Sequence, residues 1–237
     1  MSELGNIDCA SITELDLSNK ELDVLPDLSM YINLKKLKCY SNKLTSLDNL
    51  PPSLLELDCI NNKLTSLNNL PPGLLELNCN NNELTSLDNL PSSLKFLDCG
   101  YNQITSLDNL QYSLLELYCY NNLLTSLDNL PSSLLELYCG YNQITSLDNL
   151  PITLKILNCW NNKITSLDNL PHEILELYCF YNQIESLDNL PKSLKTLNCT
   201  GNKIISLYNL PPNLIELYCY GNTTNLIRPH LNSLHIN

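Results

Sequence analysis

Shifted against itself by twenty residues, the chain overlays nearly end to end, with LLELDCINNKLTSLNNLPPG above LLELNCNNNELTSLDNLPSS above LKFLDCGYNQITSLDNLQYS. A fixed short period excludes a closed globular core. Each unit is one supersecondary element that cannot cover its own apolar face, so the units must stack and the core becomes one-dimensional. Units start at Ile12, Leu34, Leu54, Leu74, Leu94, Leu114, Leu134, Leu154, Ile174, Leu194 and Leu214, eleven in all, and only the first is longer, at twenty-two residues. They fill residues 12–226 and leave 1–11 as a short N-terminal cap and 227–237 as a C-terminal tail. The tail is expected to close the last turn with Leu226, Leu231 and Ile236.

Each unit reads LxxLxCxxNxLxxLxxLPxx. The x-Leu-x-Cys segment alternates with period two, as in Phe96-Leu97-Asp98-Cys99, which predicts a short strand with Leu and Cys inward and stacking into a parallel sheet. The remainder cannot be a helix, because Pro recurs in nearly every turn and drives the residue before it to extended geometry. Apolar residues three apart, such as Ile144, Leu147 and Leu150, fit an extended or 3-10 arc. Strands about 4.8 Å apart give a body on the order of 50 Å long.

Three columns run the length of the repeat. The Asn column (Asn42, Asn62, Asn82, Asn102, Asn122, Asn142, Asn162, Asn182, Asn202 and Asn222) sits where the strand turns away, and its amides are expected to bond to corner backbone and to the next Asn. Cysteines from Cys39 to Cys219 recur every twenty residues. Free Cys is a small buried hydrophobe, whereas a straight file of thiols does not supply the tetrahedral convergence that zinc needs, so the file reads as packing, with a metal ladder as its alternative. Cys9, before the first unit, is expected to be the most exposed thiol. The third column is Asp48, Asp88, Asp108, Asp128, Asp148, Asp168 and Asp188, read as caps of the turn backbone, with bound cations as the alternative.

Charge and motifs narrow the function. A net charge of −12 with only thirteen Lys plus Arg speaks against nucleic acid, which needs a basic face. Lys35, Lys36, Lys38 and Lys43 form one local basic spot, read as a solvated edge. No stretch reaches the ~20 apolar residues of a membrane span, and MSELGNIDCA lacks the features of a signal peptide, so no membrane association is expected and the location read is intracellular. Eleven cysteines at repeat spacing are no disulfide framework of a small secreted domain, which also favours a reducing compartment. His172, His230 and His235 have no nucleophile, carboxylate pair or phosphate loop around them, so no catalytic residue, cofactor or metal is assigned.

The outward strand positions vary while the frame does not, and there specificity can be written. Before the strand Leu stands Glu in Glu14, Glu56, Glu76, Glu116, Glu136, Glu176 and Glu216, interrupted by Lys36, Phe96, Ile156 and Thr196. Between Leu and Cys come Tyr118, Tyr138, Tyr178 and Tyr218; after Cys come Tyr40, Tyr120, Trp160, Phe180 and Tyr220; one place further stand Tyr101, Tyr141 and Tyr181. Rings bordered by carboxylates favour a protein partner, with Tyr118, Tyr120, Tyr138, Trp160, Tyr178, Phe180, Tyr218, Tyr220, Glu116, Glu136, Glu176 and Glu216 as the binding residues. The alternative is that the rings pack between strands and shield the sheet with no partner.

The unit resembles the leucine-rich-repeat consensus with Cys in the third apolar slot. That resemblance implies an α/β-class solenoid, here almost all β, right-handed, with a parallel sheet on the concave face and a non-helical convex arc. The twenty-residue unit ending in Leu-Pro resembles the short repeats of bacterial type III secreted effectors, some of which carry a ubiquitin-ligase domain; no such domain is expected after residue 226 and no helical cap before Ile12. The run SLDNLPSSLLELYCGYNQIT is still more similar to leucine-rich-repeat proteins of giant DNA viruses, and a composition with one Arg, one Ala and one Val leans the same way. The expectation is a non-enzymatic protein-binding module, acting in an infected host cell if the viral likeness holds. Its alternative is a structural protein associating end to end through weakly capped termini.

Overall fold

A computed structural model describes residues 9–223 and 235–236, so Leu226, His230 and Leu231 lie outside the described residues. After a 3-10 turn at Cys9–Ser11, eleven three-residue strands follow at the repeat spacing: β1 Glu14–Asp16, β2 Lys36–Lys38, β3 Glu56–Asp58, β4 Glu76–Asn78, β5 Phe96–Asp98, β6 Glu116–Tyr118, β7 Glu136–Tyr138, β8 Ile156–Asn158, β9 Glu176–Tyr178, β10 Thr196–Asn198 and β11 Glu216–Tyr218. The pair His235–Ile236 adds β12. All twelve form one parallel sheet in sequence order. Register is one turn per step, Leu57 opposite Leu77 and Leu77 opposite Leu97, so like residues lie over like. At the end of the described chain β12 pairs with β11, Ile236 opposite Leu217.

The strands are short because only x-Leu-x-Cys alternates, but backbone pairing between turns runs beyond them. The Asn61 amide donates to the Asn80 carbonyl at 2.9 Å, and on the descending side Lys63 donates to Leu44 at 2.9 Å. Leu37, Cys39, Leu44, Leu54, Leu84 and Ile104 are all 0 % exposed, and their equivalents in later turns continue the same core. Each fully buried Leu contributes about 1.5–3 kcal/mol. The column thiols are buried with them, and that burial pushes Cys139 and Cys179 up to about 12, beyond any thiolate chemistry at neutral pH. The Cys9 thiol, half-buried and bonded to the Tyr31 side chain, is more exposed than any thiol of the column, as its place before the first unit predicts.

Between strands no helix forms among the described residues. Every turn from the second to the ninth bends at Asn49, Asn69, Asn89, Asn109, Asn129, Asn149, Asn169 or Asn189, whose φ lies between 63 and 67°. Asn tolerates this left-handed geometry at little cost, and one such residue per arc prevents a helix from propagating. The arc then closes with a tight turn in which the Leu54 amide donates to the Pro51 carbonyl at 3.2 Å, repeated at Leu74, Leu94, Leu134 and Leu154. The arc is therefore extended segments joined by turns, without the 3-10 helix that the three-residue spacing allowed.

Two columns work differently from their sequence reading. The Asn62 carbonyl oxygen accepts from the Leu44 amide at 3.0 Å, while its NH₂ donates to the Cys39 and Cys59 carbonyls at 3.1 and 3.0 Å. The buried Asn thus rivets backbone of its own turn to backbone of the preceding one, and does not bond to the next buried Asn. Direct amide-to-amide bonding occurs one residue earlier, from Asn81 to Asn61 at 3.0 Å. The Asp column does not cap backbone amides. Asp148 accepts the Ser146 hydroxyl at 2.6 Å and the Asn169 amide of the next turn at 3.2 Å, and these bonds hold its exposed carboxylate below the usual range. A hydroxyl column joins the turns as well, Ser133 donating to the Leu114 carbonyl at 2.7 Å and Thr153 to Leu134 at 2.8 Å.

Candidate interaction face

With Leu and Cys turned inward, the first and third residues of each strand, the residue after Cys and the next corner residue form four outward columns. Their contents divide the sheet in two. From β1 to β4 the strand positions are charged, with Lys36 and Lys38 set among five carboxylates. Lys36 meets Glu56 at 2.5 Å and Lys43 meets Glu21 at 3.5 Å, so two of the four lysines of the basic spot are paired within the chain. A shallow depression of about 220 Å³ lies there between Lys36, Lys38, Glu56, Asp58, Glu76 and Phe96.

From β5 onward rings join the carboxylates and the strand lysines disappear. Phe96 and Tyr118 have centroids 5.4 Å apart, and Tyr118 stacks on Tyr138 at 4.2 Å with planes 8° apart. In the neighbouring columns Tyr141 leans on Trp160 at 5.7 Å, Trp160 stacks on Phe180 at 5.6 Å, and Phe180 meets Tyr181 edge-on at 5.6 Å. Tyr120 reaches back two turns, where the Asn80 amide donates to its hydroxyl at 2.6 Å. Glycines make these placements possible. A Cβ at Gly140 would stand 2.0 Å from Trp160 Nε1, and one at Gly100 would stand 2.7 Å from Tyr120 Cζ. Alternation of Gly with Tyr or Trp in the column after Cys is therefore a small-large fit between successive turns.

The rings differ in exposure. Tyr118, Tyr120, Tyr138, Trp160, Tyr178, Phe180 and Tyr218 are half-buried. Tyr220 is 82 % exposed, and Tyr101, Tyr141 and Tyr181 are 51, 52 and 58 % exposed. These last three adopt φ of 50–55° at a corner where Asn, Ser or Gly stands in other turns. A bulky residue there costs about 1–2 kcal/mol. Their column was visible in the sequence, but not that the corner is left-handed and outward; the signal was an aromatic ring in a position otherwise given to small turn-formers.

Carboxylates border the rings. Glu116, Glu136, Glu176 and Glu216 occupy the first outward position of β6, β7, β9 and β11, where the strands carry no Lys or Arg. The Tyr178 hydroxyl donates to Glu176 at 2.9 Å and the Tyr138 hydroxyl to Glu136 at 3.3 Å. Burial, with the Glu136 and Glu76 charges behind it, raises the Glu116 carboxyl above the ordinary carboxylate value. Burial raises Asp98 likewise, against the bonds it accepts from Gly100 N–H and the Asn80 amide. Tyr178 is pushed up to about 12 by burial and by Glu176. Asn158 lies in register between Tyr138 and Tyr178, and its Oδ1 is buried without a hydrogen-bond partner. No three His, Cys, Asp or Glu side chains are grouped as metal ligands among the described residues, and no described helix is long and apolar enough to cross a membrane.

No protein-family model and no curated protein matches the sequence. Solved structures do match. YopM of Yersinia pestis, described as a leucine-rich effector protein, is 33 % identical over 95 % of this chain and 71 % of its own, with a TM-score of 0.81. The functional domain of InlJ from Listeria monocytogenes, described as including a cysteine ladder, is 32 % identical over 90 % of this chain and 54 % of its own, at 0.68. YopM of Yersinia enterocolitica is 29 % identical over 94 % and 63 %, at 0.56. The chain thus spans less than two thirds of two of these three. They bear on the bacterial resemblance and not on the viral one.

Proposed function

The chain belongs to the leucine-rich-repeat proteins, and from that premise we propose that it is a non-enzymatic binding module whose partner, a protein, lies on the aromatic and acidic sheet face from β5 to β11. One observation carries this reading. Tyr101, Tyr141 and Tyr181 hold exposed rings at left-handed corners that Asn, Ser or Gly fills elsewhere in the same frame. Their ring contacts with Tyr120, Trp160 and Phe180 offset only about 0.5–1.5 kcal/mol of that cost each and leave about half of every ring in solvent, and backbone strain concentrates where a surface has work to do. Rings of this kind offer large contact area at low entropy cost. A reducing compartment suits the buried thiols, and we place the protein inside a cell.

The test uses the frame's own preference. Changing Tyr101, Tyr141 and Tyr181 together to Asn removes the strained rings and gives up ring pairs of about 0.5–1.5 kcal/mol each, so stability should change little. Affinity capture from a host lysate should enrich a partner with the intact chain and lose it with the triple variant, both remaining monomeric. Equal capture by both chains would place the partner elsewhere. Concentration-dependent oligomers that the variant still forms would favour end-to-end association, the alternative read from the sequence.

A further inference from the structure

The inward residues repeat every turn, but from β7 to β11 the outward residues repeat every second turn. Strand by strand they read Glu136 and Tyr138, Ile156 and Asn158, Glu176 and Tyr178, Thr196 and Asn198, Glu216 and Tyr218. Exposed corner rings follow the same doubled period at Tyr101, Tyr141 and Tyr181. Parallel neighbours are about 4.8 Å apart, so the face offers one carboxylate-and-ring station about every 9.6 Å along the solenoid axis. An α-helical turn advances about 5.4 Å and a two-residue step of β-strand about 6.6 Å, and neither falls into step with the stations. Three residues of polyproline II advance about 9.3 Å, which does.

Charge chooses the residue placed at each station. Glu136, Glu176 and Glu216 face outward on strands without Lys or Arg, in contrast to the Lys36–Glu56 pair on the other half of the sheet. The nearby Lys155 is held by Glu173 at 2.7 Å. Beside Glu136 and Glu176 a tyrosine hydroxyl donates to the carboxylate, so ring face and negative charge are presented together. An extended cationic side chain can lay its stem on such a ring and its head on the acid.

We infer that the face from β7 to β11 takes a proline-rich segment in the polyproline II conformation, running along the solenoid axis with Arg or Lys at every third residue, one each for Glu136, Glu176 and Glu216. This rests on the reading of that face as the binding surface and specifies its partner. The prolines between the cations lie against tyrosine and tryptophan rings, and their fixed backbone keeps the ordering cost of the segment low.

The chain has one tryptophan, Trp160, within this face, and its fluorescence reports occupancy. Two nonapeptides of equal composition and charge are titrated, one of three Pro-Pro-Arg repeats and one with the three arginines consecutive ahead of six prolines. The repeating peptide should bind at least tenfold more tightly. Changing Glu136, Glu176 and Glu216 together to Gln should erase that preference while leaving the melting temperature within a few degrees. Equal affinity for the two peptides would reduce the effect to unspecific charge attraction and overturn the inference, as would no binding of either. If the peptides fail while lysate capture remains sensitive to the corner tyrosines, this inference falls and the binding-module reading stands; if both fail, both fall.

Discussion

The sheet faces from β2 to β4 and from β7 to β11 share one frame and nothing else. Inside, both present Leu and Cys at no more than 5 % exposure and the same Asn rivets. Outside, the first half mixes lysines with carboxylates and pairs Lys36 with Glu56, while the second sets carboxylates beside rings and supplies no strand cation. Because every turn is held by bonds to its neighbours' backbone, the outward side chains are not needed to set the stacking of the turns. Two halves equally stable inside can then differ in what they are able to bind.

The largest effect tests the shared frame. Asn82→Ala and Asn162→Ala each orphan one buried backbone amide, that of Leu64 or Ile144, and take one of two amide donors from each of two Cys carbonyls; at about 1–3 kcal/mol for the orphan and about 0.5–1.5 kcal/mol for each lost bond, each variant should lose roughly 3 kcal/mol in denaturant unfolding. Equal losses would establish that the frame does not distinguish the halves; a loss confined to one would break the comparison. Next comes the small-large fit that only the second half uses. Gly140→Ala places a methyl against the Trp160 ring, which should shift the tryptophan emission and cost on the order of 1–3 kcal/mol. A similar substitution at Gly73, where a Cβ meets nothing within 4 Å, should leave both unchanged.

The smallest effect lies at the border between the halves. Burial raises the Asp98 carboxyl above its ordinary 3.8 in the folded chain, so the native state binds the proton more readily than the unfolded one. Its contribution is favourable below 3.8 and is lost as pH rises through the raised value. Asp98→Asn should therefore stabilise slightly at neutral pH, flatten the pH dependence of melting just above 3.8, and change little in acid. A steeper dependence in the variant would reverse the assigned sign. The arc carboxylates run the other way: Asp148 and Asp168 are lowered by bonds from Ser and Asn, and their contribution disappears as pH falls.

The sequence alone determined the period, the strand positions and the inward residues, because a one-dimensional core leaves a separate record in every unit. Twenty-residue spacing and x-Leu-x-Cys alternation need no long-range information to be read. The columns of Glu, Tyr and Trp were legible for the same reason. Tertiary structure decided what the columns do. Whether Asn62 bonds to Asn or to backbone, and whether Asp148 caps an amide or holds the next turn's Asn169, depends on the height and angle at which one turn sits on another. The division of the rings was equally hidden, since Trp160 is half-buried only because Gly140 admits it and Tyr141 stands out only because its corner is left-handed. A periodic sequence states which residues meet their counterparts, but the backbone dihedrals at the corners decide which of them face the solvent.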